Sequence, residues 1–219
     1  MKPSTWINPS AKANGPPPKY LSGFLIWSLS GSFKVLSLSG LVSILTGIMD
    51  VSAALILGLM IDSALASSGD NLFDGNFMLY AGSIAFFLVL RPTLFAASSY
   101  MQSIVVTPNV SNLVLSRIHR WTLDQSVTFF DNDFAGRIAQ KEMQTARAVS
   151  DVVMEILQTV LFALASIVGA SLMLLAVDEV LAATLFVWLI AYLAMIRFFM
   201  PIVRKRSGKR AGARAMVTG

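Results

Sequence analysis

Four long apolar stretches limit what this chain can fold into. They cover residues 35–65, 77–106, 152–177 and 180–203, and each is as long as the roughly 20 residues that a helix needs to cross a bilayer. In lipid, a helix satisfies its backbone hydrogen bonds internally, whereas an open strand leaves them unpaired. The stretches therefore predict an all-α membrane protein with four transmembrane helices.

Composition supports this class and excludes several kinds of chemistry. Hydrophobic residues make up 55% of the 219 positions and charged residues 13%, against about 25% charged in a soluble domain. The chain has no cysteine, which excludes disulfides and thiolate chemistry. His119 is the one histidine, so a histidine-cluster metal site is also excluded. We expect no catalytic residue and no metal ligand.

The N-terminal region precedes the first span in two parts. Residues 1–19 are polar and contain three consecutive prolines, which predicts a disordered or extended lead. Residues 20–34 are apolar but too short to span, and they include Tyr20 and Trp27, residue types that favour the headgroup level. This pattern predicts an interfacial elbow helix, with an early start of the first span as the alternative.

A polar interval at 107–151 separates the second and third spans. A helical pattern continues through it, and a single bent helix over 77–128 would be about 78 Å long, far more than the hydrocarbon thickness of ~30 Å. At 129–137 the sequence FFDNDFAGR interrupts the pattern, and Gly136 can take the positive φ of a reversal. We expect two helices that project from the bilayer and meet at an exposed aromatic turn, which is typical of a docking surface.

The basic residues predict the orientation of the spans. Fifteen of the seventeen lysines and arginines lie before residue 35, in the interval 107–151 or after residue 203. The other two loops, 67–76 and 178–179, hold four acidic residues and no basic one. By the positive-inside rule, both termini and the 107–151 loop are expected to be cytoplasmic.

Three charged residues interrupt the spans, namely Asp50, Arg91 and Arg197. Such charges are costly unless they face protein or a water-filled cavity. They are candidates for a translocation pathway. In the alternative interpretation, Asp50 pairs with an arginine from another helix and Arg197 snorkels toward the interface.

The run FFDNDFAGRIAQK resembles the first intracellular loop of ABC exporter membrane domains. Phe130, Gly136, Ile138 and Lys141 occupy the matching positions, although Lys141 replaces a commoner arginine and Thr145 a usual aspartate. The resemblance implies that the loop 129–137 couples to a nucleotide-binding domain. The residues that this implies are Phe129, Phe130, Asp131, Asn132, Asp133, Phe134 and Gly136.

The resemblance further implies that residues 35–219 are an incomplete type-1 transmembrane domain with long cytoplasmic helix extensions. The chain contains no GxxxxGK[ST] phosphate loop, so no cofactor is expected in it. ATP and magnesium would bind in a missing nucleotide-binding domain. The implied partners are that domain, a second transporter half as a homodimer or heterodimer, and the lipid bilayer, with no nucleic acid.

This makes the chain the expected N-terminal part of an ATP-driven exporter, a permease that forms part of the translocation pathway. The alternative is a self-contained four-span scaffold or lipid-binding assembly protein without ATP coupling. A downstream reading frame that continues into two further spans and a Walker motif would favour the exporter, and a stop codon after Gly219 would favour the scaffold. The sequence indicates no particular substrate.

Overall fold

A computed structural model describes the backbone of residues 6–66, 76–131 and 135–217, and the side chains of all of these except 131, 135 and 204–217. The described residues form six helices, which are α1 (Leu21–Leu29), α2 (Phe33–Ala66), α3 (Phe77–Leu123), α4 (Val127–Asp131), α5 (135–177) and α6 (Glu179–Val217). Four of them, α2, α3, α5 and α6, are long and apolar enough to cross a membrane. The predicted all-α fold with four spans is therefore confirmed.

The short helix α1 is separate from the first span. Three residues, 30–32, lie between α1 and α2, and Gly31 among them has a φ of +83°. That conformation is strained for any residue with a Cβ atom, whereas glycine adopts it freely. The chain therefore breaks at Gly31, and the alternative in which 20–34 is an early start of the first span is wrong.

Helix α3 runs continuously through two prolines. It contains π-helical turns at Phe86–Leu90 and Met101–Val106, and Pro92 and Pro108 follow these turns within two residues. Proline lacks an N–H group, and its ring clashes with the carbonyl four residues earlier, which in both cases lies inside the π turn. The wider turns therefore let the helix pass each proline without ending.

Both middle helices are much longer than a bilayer requires. At 1.5 Å per residue, the 47 residues of α3 extend for about 70 Å, more than twice the hydrocarbon thickness of ~30 Å. Helix α5 has one π turn, at Ile156–Val160, between Ala135–Glu155 and Leu161–Val177. The predicted extensions of the second and third spans are thus present as regular helix.

The ends of these two helices pack together as a helical extension, formed by residues 107–123 and 135–155. Its core consists of side chains at helical spacing on the facing sides of α3 and α5. They are Val110, Leu113 and Val114 on α3 and Ala146, Val149 and Val153 on α5. Separating the two helices would expose this shared apolar surface to water, so its burial holds them together.

A polar contact crosses the same extension. The Nδ1 atom of His119 on α3 lies 3.0 Å from Oε2 of Glu142 on α5. Glu142 is 7% exposed, and its second oxygen, Oε1, has no hydrogen-bond partner among the described residues. A buried polar group without a partner is costly, so the histidine provides the one hydrogen bond that the described residues offer this carboxylate.

The residues of the lead from 6 onward contact the helical extension. They contain no helix or strand, yet Ile7 is 1% exposed and belongs to the core of the extension. The hydroxyl of Ser116 donates a hydrogen bond of 2.6 Å to the carbonyl oxygen of Pro9. The lead is held by contacts with α3, about a hundred residues later in the chain. Local composition carries no information about contacts between such distant segments.

Arg117 ties the lead and α1 to α3. Its buried side chain donates from Nε to the carbonyl oxygen of Ala11 at 3.0 Å. Nη1 donates to the carbonyl oxygens of Trp27 and Ser28 at 2.8 and 2.9 Å, and Nη2 to that of Ser30 at 2.8 Å. The last carbonyls of a helix lack partners within it, and a cation there offsets the negative end of the helix dipole. Arg117 is thus a C-terminal cap that one helix supplies to another.

The chain divides into two compact units, one up to Gly169 and the other from Ala170. In the second unit, Asp178 separates the end of α5 from α6, and its Oδ1 atom accepts a 2.6 Å hydrogen bond from the backbone N–H of Val180. This contact caps the first turn of α6, which a side-chain oxygen typically stabilises. Trp188 and Tyr192 stack one helical turn apart, with ring centroids 5.5 Å apart.

Candidate functional site

Two rows of side chains meet where α2 packs against α3. Both rows repeat at intervals of four, three and four residues, which keeps the members of a row on one helix face. The row on α2 is Ser39, Ser43, Thr46 and Asp50, and the row on α3 is Arg91, Phe95, Ser98 and Gln102. We call these eight residues the seam. The sequence pointed to its two charges, and the regular spacing of the other polar residues from these charges was the signal for the rest.

One end of the seam is an ion pair. Arg91 Nη2 lies 2.8 Å from Asp50 Oδ1, and the Arg91 guanidinium lies 5.7 Å from the centre of the Phe95 ring. The structure therefore brings together two of the three intramembrane charges singled out in the sequence. Pairing reduces the cost of charge in a span, but the two side chains remain 36% and 44% exposed, so they still present a polar surface.

The other end of the seam is a hydrogen-bonded cluster around Gln102. Its amide nitrogen donates to the hydroxyl oxygens of Ser43 at 2.9 Å and Ser98 at 3.1 Å. The Ser43 hydroxyl in turn donates to the carbonyl oxygen of Ser39 at 3.1 Å. A buried amide in an apolar span is stable because its donors are satisfied in this way, and the bonds fix α2 against α3.

Beside this cluster lies a cleft of about 290 Å³. Phe95 and Phe162 contribute aromatic surface to it, while Thr46, Gln102 and Gln158 contribute hydroxyl and amide groups. Both glutamines belong to π turns, which occur frequently at functional sites. Apolar walls with a few convergent polar groups are typical of small-molecule sites.

Close packing of α2 on α5 supports the cleft. A Cβ atom on Gly47 would lie 2.7 Å from the carbonyl oxygen of Phe162 and 2.9 Å from Cβ of Ala165. The Ser166 hydroxyl also donates to the carbonyl oxygen of Gly47 at 3.3 Å. Small residues let membrane helices approach closely, so the absence of a side chain at Gly47 determines the distance between these two helices.

The aromatic turn between the long helices contains a short helix, α4. The rings of Phe129 and Phe130 meet edge to face with centroids 5.3 Å apart, and Phe129 is 38% exposed. Three other predicted coupling residues, Asn132, Asp133 and Phe134, lie outside the described residues, as does the side chain of Asp131.

Gly136, which could adopt the positive φ of a reversal, instead lies in the first turn of α5. The positive-φ glycines among the described residues are Gly15 and Gly31. Helix α5 already begins at Ala135, before this glycine. Further along α5, the Thr145 hydroxyl donates to the carbonyl oxygen of Lys141 at 2.7 Å.

Arg197, the third charge predicted for the pathway, is an exposed residue of α6 in the second unit. It therefore belongs to a different unit from Asp50 and Arg91. No group of three histidine, aspartate or glutamate side chains in the described ranges could hold a metal ion.

Comparisons with known proteins agree with this architecture. The chain matches the family described as the ABC transporter transmembrane region over residues 36–219. It is 27% identical over 216 residues to a Haemophilus influenzae protein described as an uncharacterized ABC transporter ATP-binding protein. The match covers 97% of this chain and 35% of that protein, so the chain spans about a third of the relative's length. No solved structure matches significantly. With four long apolar helices and a family match over most of its length, the chain belongs to the ABC transporter transmembrane region family.

Proposed function

We propose that this chain provides the first four spans of an ATP-driven exporter in a bacterial inner membrane. In this proposal, both termini and the aromatic turn are cytoplasmic, the seam lines part of the translocation pathway, and the turn docks on a nucleotide-binding domain. ATP and magnesium bind to that domain, outside this chain. A second transporter half, identical or different, completes the pathway.

The observation that carries the proposal is the exposed aromatic turn at the tip of the helical extension. Phe129 and Phe130 sit between two helices whose other parts contribute to the seam and its cleft. Large apolar groups in a water-exposed turn are favourable when a partner covers them. Desolvated aromatic residues then supply much of the binding energy, often roughly 2 kcal/mol or more for each residue.

The extension gives a route from this turn to the seam. Movement of the docked turn would displace α3 and α5 together, because the apolar core and the His119–Glu142 contact join them. Along α3, the displaced helix carries Gln102 and Arg91, which are bonded to Ser43 and Asp50 of α2. We propose that closure of two ATP-bound domains moves these helices and switches the cavity from inward-facing to outward-facing.

Alanine variants of the aromatic pair test this function in the full-length transporter. Phe129→Ala and Phe130→Ala are each expected to leave ATP binding intact, while substrate-stimulated ATP hydrolysis and transport in proteoliposomes fall. Met143→Ala is the matched control, since Met143 is an exposed apolar residue of the same extension but lies away from the turn. Wild-type transport by both phenylalanine variants, at normal expression, would remove the coupling assignment.

A further inference from the structure

A second cleft, of about 540 Å³, lies where the lead and α1 meet the helical extension. It belongs to the first unit and is separate from the seam. Its walls include the indoles of Trp27 and Trp121 and the basic side chains of Lys12, Arg117 and Arg120. Asp124 is the one carboxylate in the lining, so the cleft carries an excess of positive charge.

Two of its three cations are available to a ligand. Arg117 donates its hydrogen bonds to backbone carbonyl oxygens of the lead and α1, so it lines the cleft without being available to a ligand. Arg120 uses one of its donors on the carbonyl oxygen of Ser10 at 2.9 Å, and its other donors meet no acceptor among the described residues. Lys12 is exposed and forms no hydrogen bond or ion pair within the described part of the chain.

The position of the cleft indicates where the ligand comes from. Trp27 is a residue of α1, and its Nε1 atom donates to the carbonyl oxygen of Gly15 at 3.1 Å, which holds the ring against the lead. On the same helix or directly before it, Tyr20, Leu21 and Ile26 are strongly exposed apolar residues. Exposed apolar and aromatic side chains beside the start of a span favour the interface between headgroups and acyl chains.

We propose that this cleft binds the phosphate group of an anionic phospholipid, with Lys12 and Arg120 as the charge partners and the two indoles as the flanking walls. Anionic lipids are enriched in the cytoplasmic leaflet, where they attract basic segments next to a span. The proposal rests on the proposed function only for the choice of that leaflet. Lipid binding here uses neither the seam nor the aromatic turn.

Native mass spectrometry of the purified full-length transporter tests the proposal. The protein is titrated with phosphatidylglycerol or with phosphatidylcholine of the same acyl chains, and bound lipid is counted. Each basic residue near an anionic headgroup contributes roughly a fivefold factor in affinity. The Lys12→Gln/Arg120→Gln variant should therefore bind phosphatidylglycerol roughly 25-fold more weakly, with phosphatidylcholine binding unchanged.

A matched control removes the same charge elsewhere. Lys19→Gln/Lys34→Gln takes two exposed lysines from the same N-terminal region, outside the cleft, and should retain wild-type binding. Lys12→Gln alone breaks no hydrogen bond of the described structure, so it separates loss of binding from loss of folding. It should weaken phosphatidylglycerol binding roughly fivefold.

Three results would overturn the proposal. They are equal binding of the two lipids by the wild type, equal losses in the cleft and control variants, and displacement of the lipid by millimolar inorganic phosphate. The last would show that the cleft takes a soluble anion instead. None of these readouts involves ATP or transport, so failure of the lipid site and failure of the coupling assignment are distinguishable.

Discussion

Arg91 and Asp50 form an ion pair of 2.8 Å between the second and first spans. Removal of one partner leaves an unpaired charge in a span. Either Asp50→Asn or Arg91→Gln should therefore destabilise the purified transporter by up to roughly 3 kcal/mol. Hydration of the partly exposed site reduces this cost. Thermal melting in detergent measures this. The double neutral variant should melt closer to wild type than either single variant, and equal melting of all four proteins would show that the pair contributes nothing.

Gly47 should be intolerant of even one methyl group. Gly47→Ala forces a contact with backbone, the carbonyl oxygen of Phe162 at 2.7 Å, and overpacking of this kind typically costs about 1–3 kcal/mol. Gly58→Ala is the control on the same helix, because a Cβ there meets nothing within 4 Å. We expect a lower melting temperature for the first variant and an unchanged or higher one for the second. Equal melting would show that α2 and α5 separate easily.

The contact between His119 and Glu142 should stabilise the helical extension. His119→Ala leaves the buried carboxylate without its hydrogen-bond partner, which typically costs about 1–3 kcal/mol. His119→Gln keeps a donor and should cost less, and Glu142→Leu in the His119→Ala background should recover stability by removing the orphaned charge. Hydrogen exchange of residues 107–123 reports the effect locally. Unchanged protection in His119→Ala would mean that the apolar core alone holds the helices together.

Fusions to a periplasm-specific reporter test the proposed orientation. A reporter after Gly75 or Glu179 should be active, and one after Asn132 should be silent, because fifteen of the seventeen basic residues lie on the side of Asn132. A reporter active only in the cytoplasm should give the complementary pattern. Activity of the periplasmic reporter at Asn132 would invert the topology and remove the docking proposal with it.

The sequence predicted the helices well because long apolar runs have few structural solutions in lipid. Hydropathy predicted the first span, which ends at Ala66, and the helical spacing of apolar residues predicted that the second helix continues past Pro108. The serines and glutamine of the seam were missed, since single polar residues are common in spans and only their shared face marks them. Contacts between distant segments were missed for another reason: the burial of Ile7 depends on residues of α3 that no local pattern connects to it.

The Arg117 cap also has a consequence for the order of assembly during synthesis. Its acceptors on Ala11 and Trp27 precede it by 106 and 90 residues, so the contacts that join the lead to α3 form only after α2 and most of α3 have emerged. Attachment of the lead is then a late step that requires both spans to be inserted. Nascent chains arrested with residue 110 exposed should have a lead that proteases cleave, and chains arrested beyond residue 130 a protected one. Arg117→Gln should make the lead of the longer chains more readily cleaved, although the burial of Ile7 and the hydrogen bond from the Ser116 hydroxyl still hold it. Protection in the shorter chains would show that the lead is held without the C-terminal part of α3.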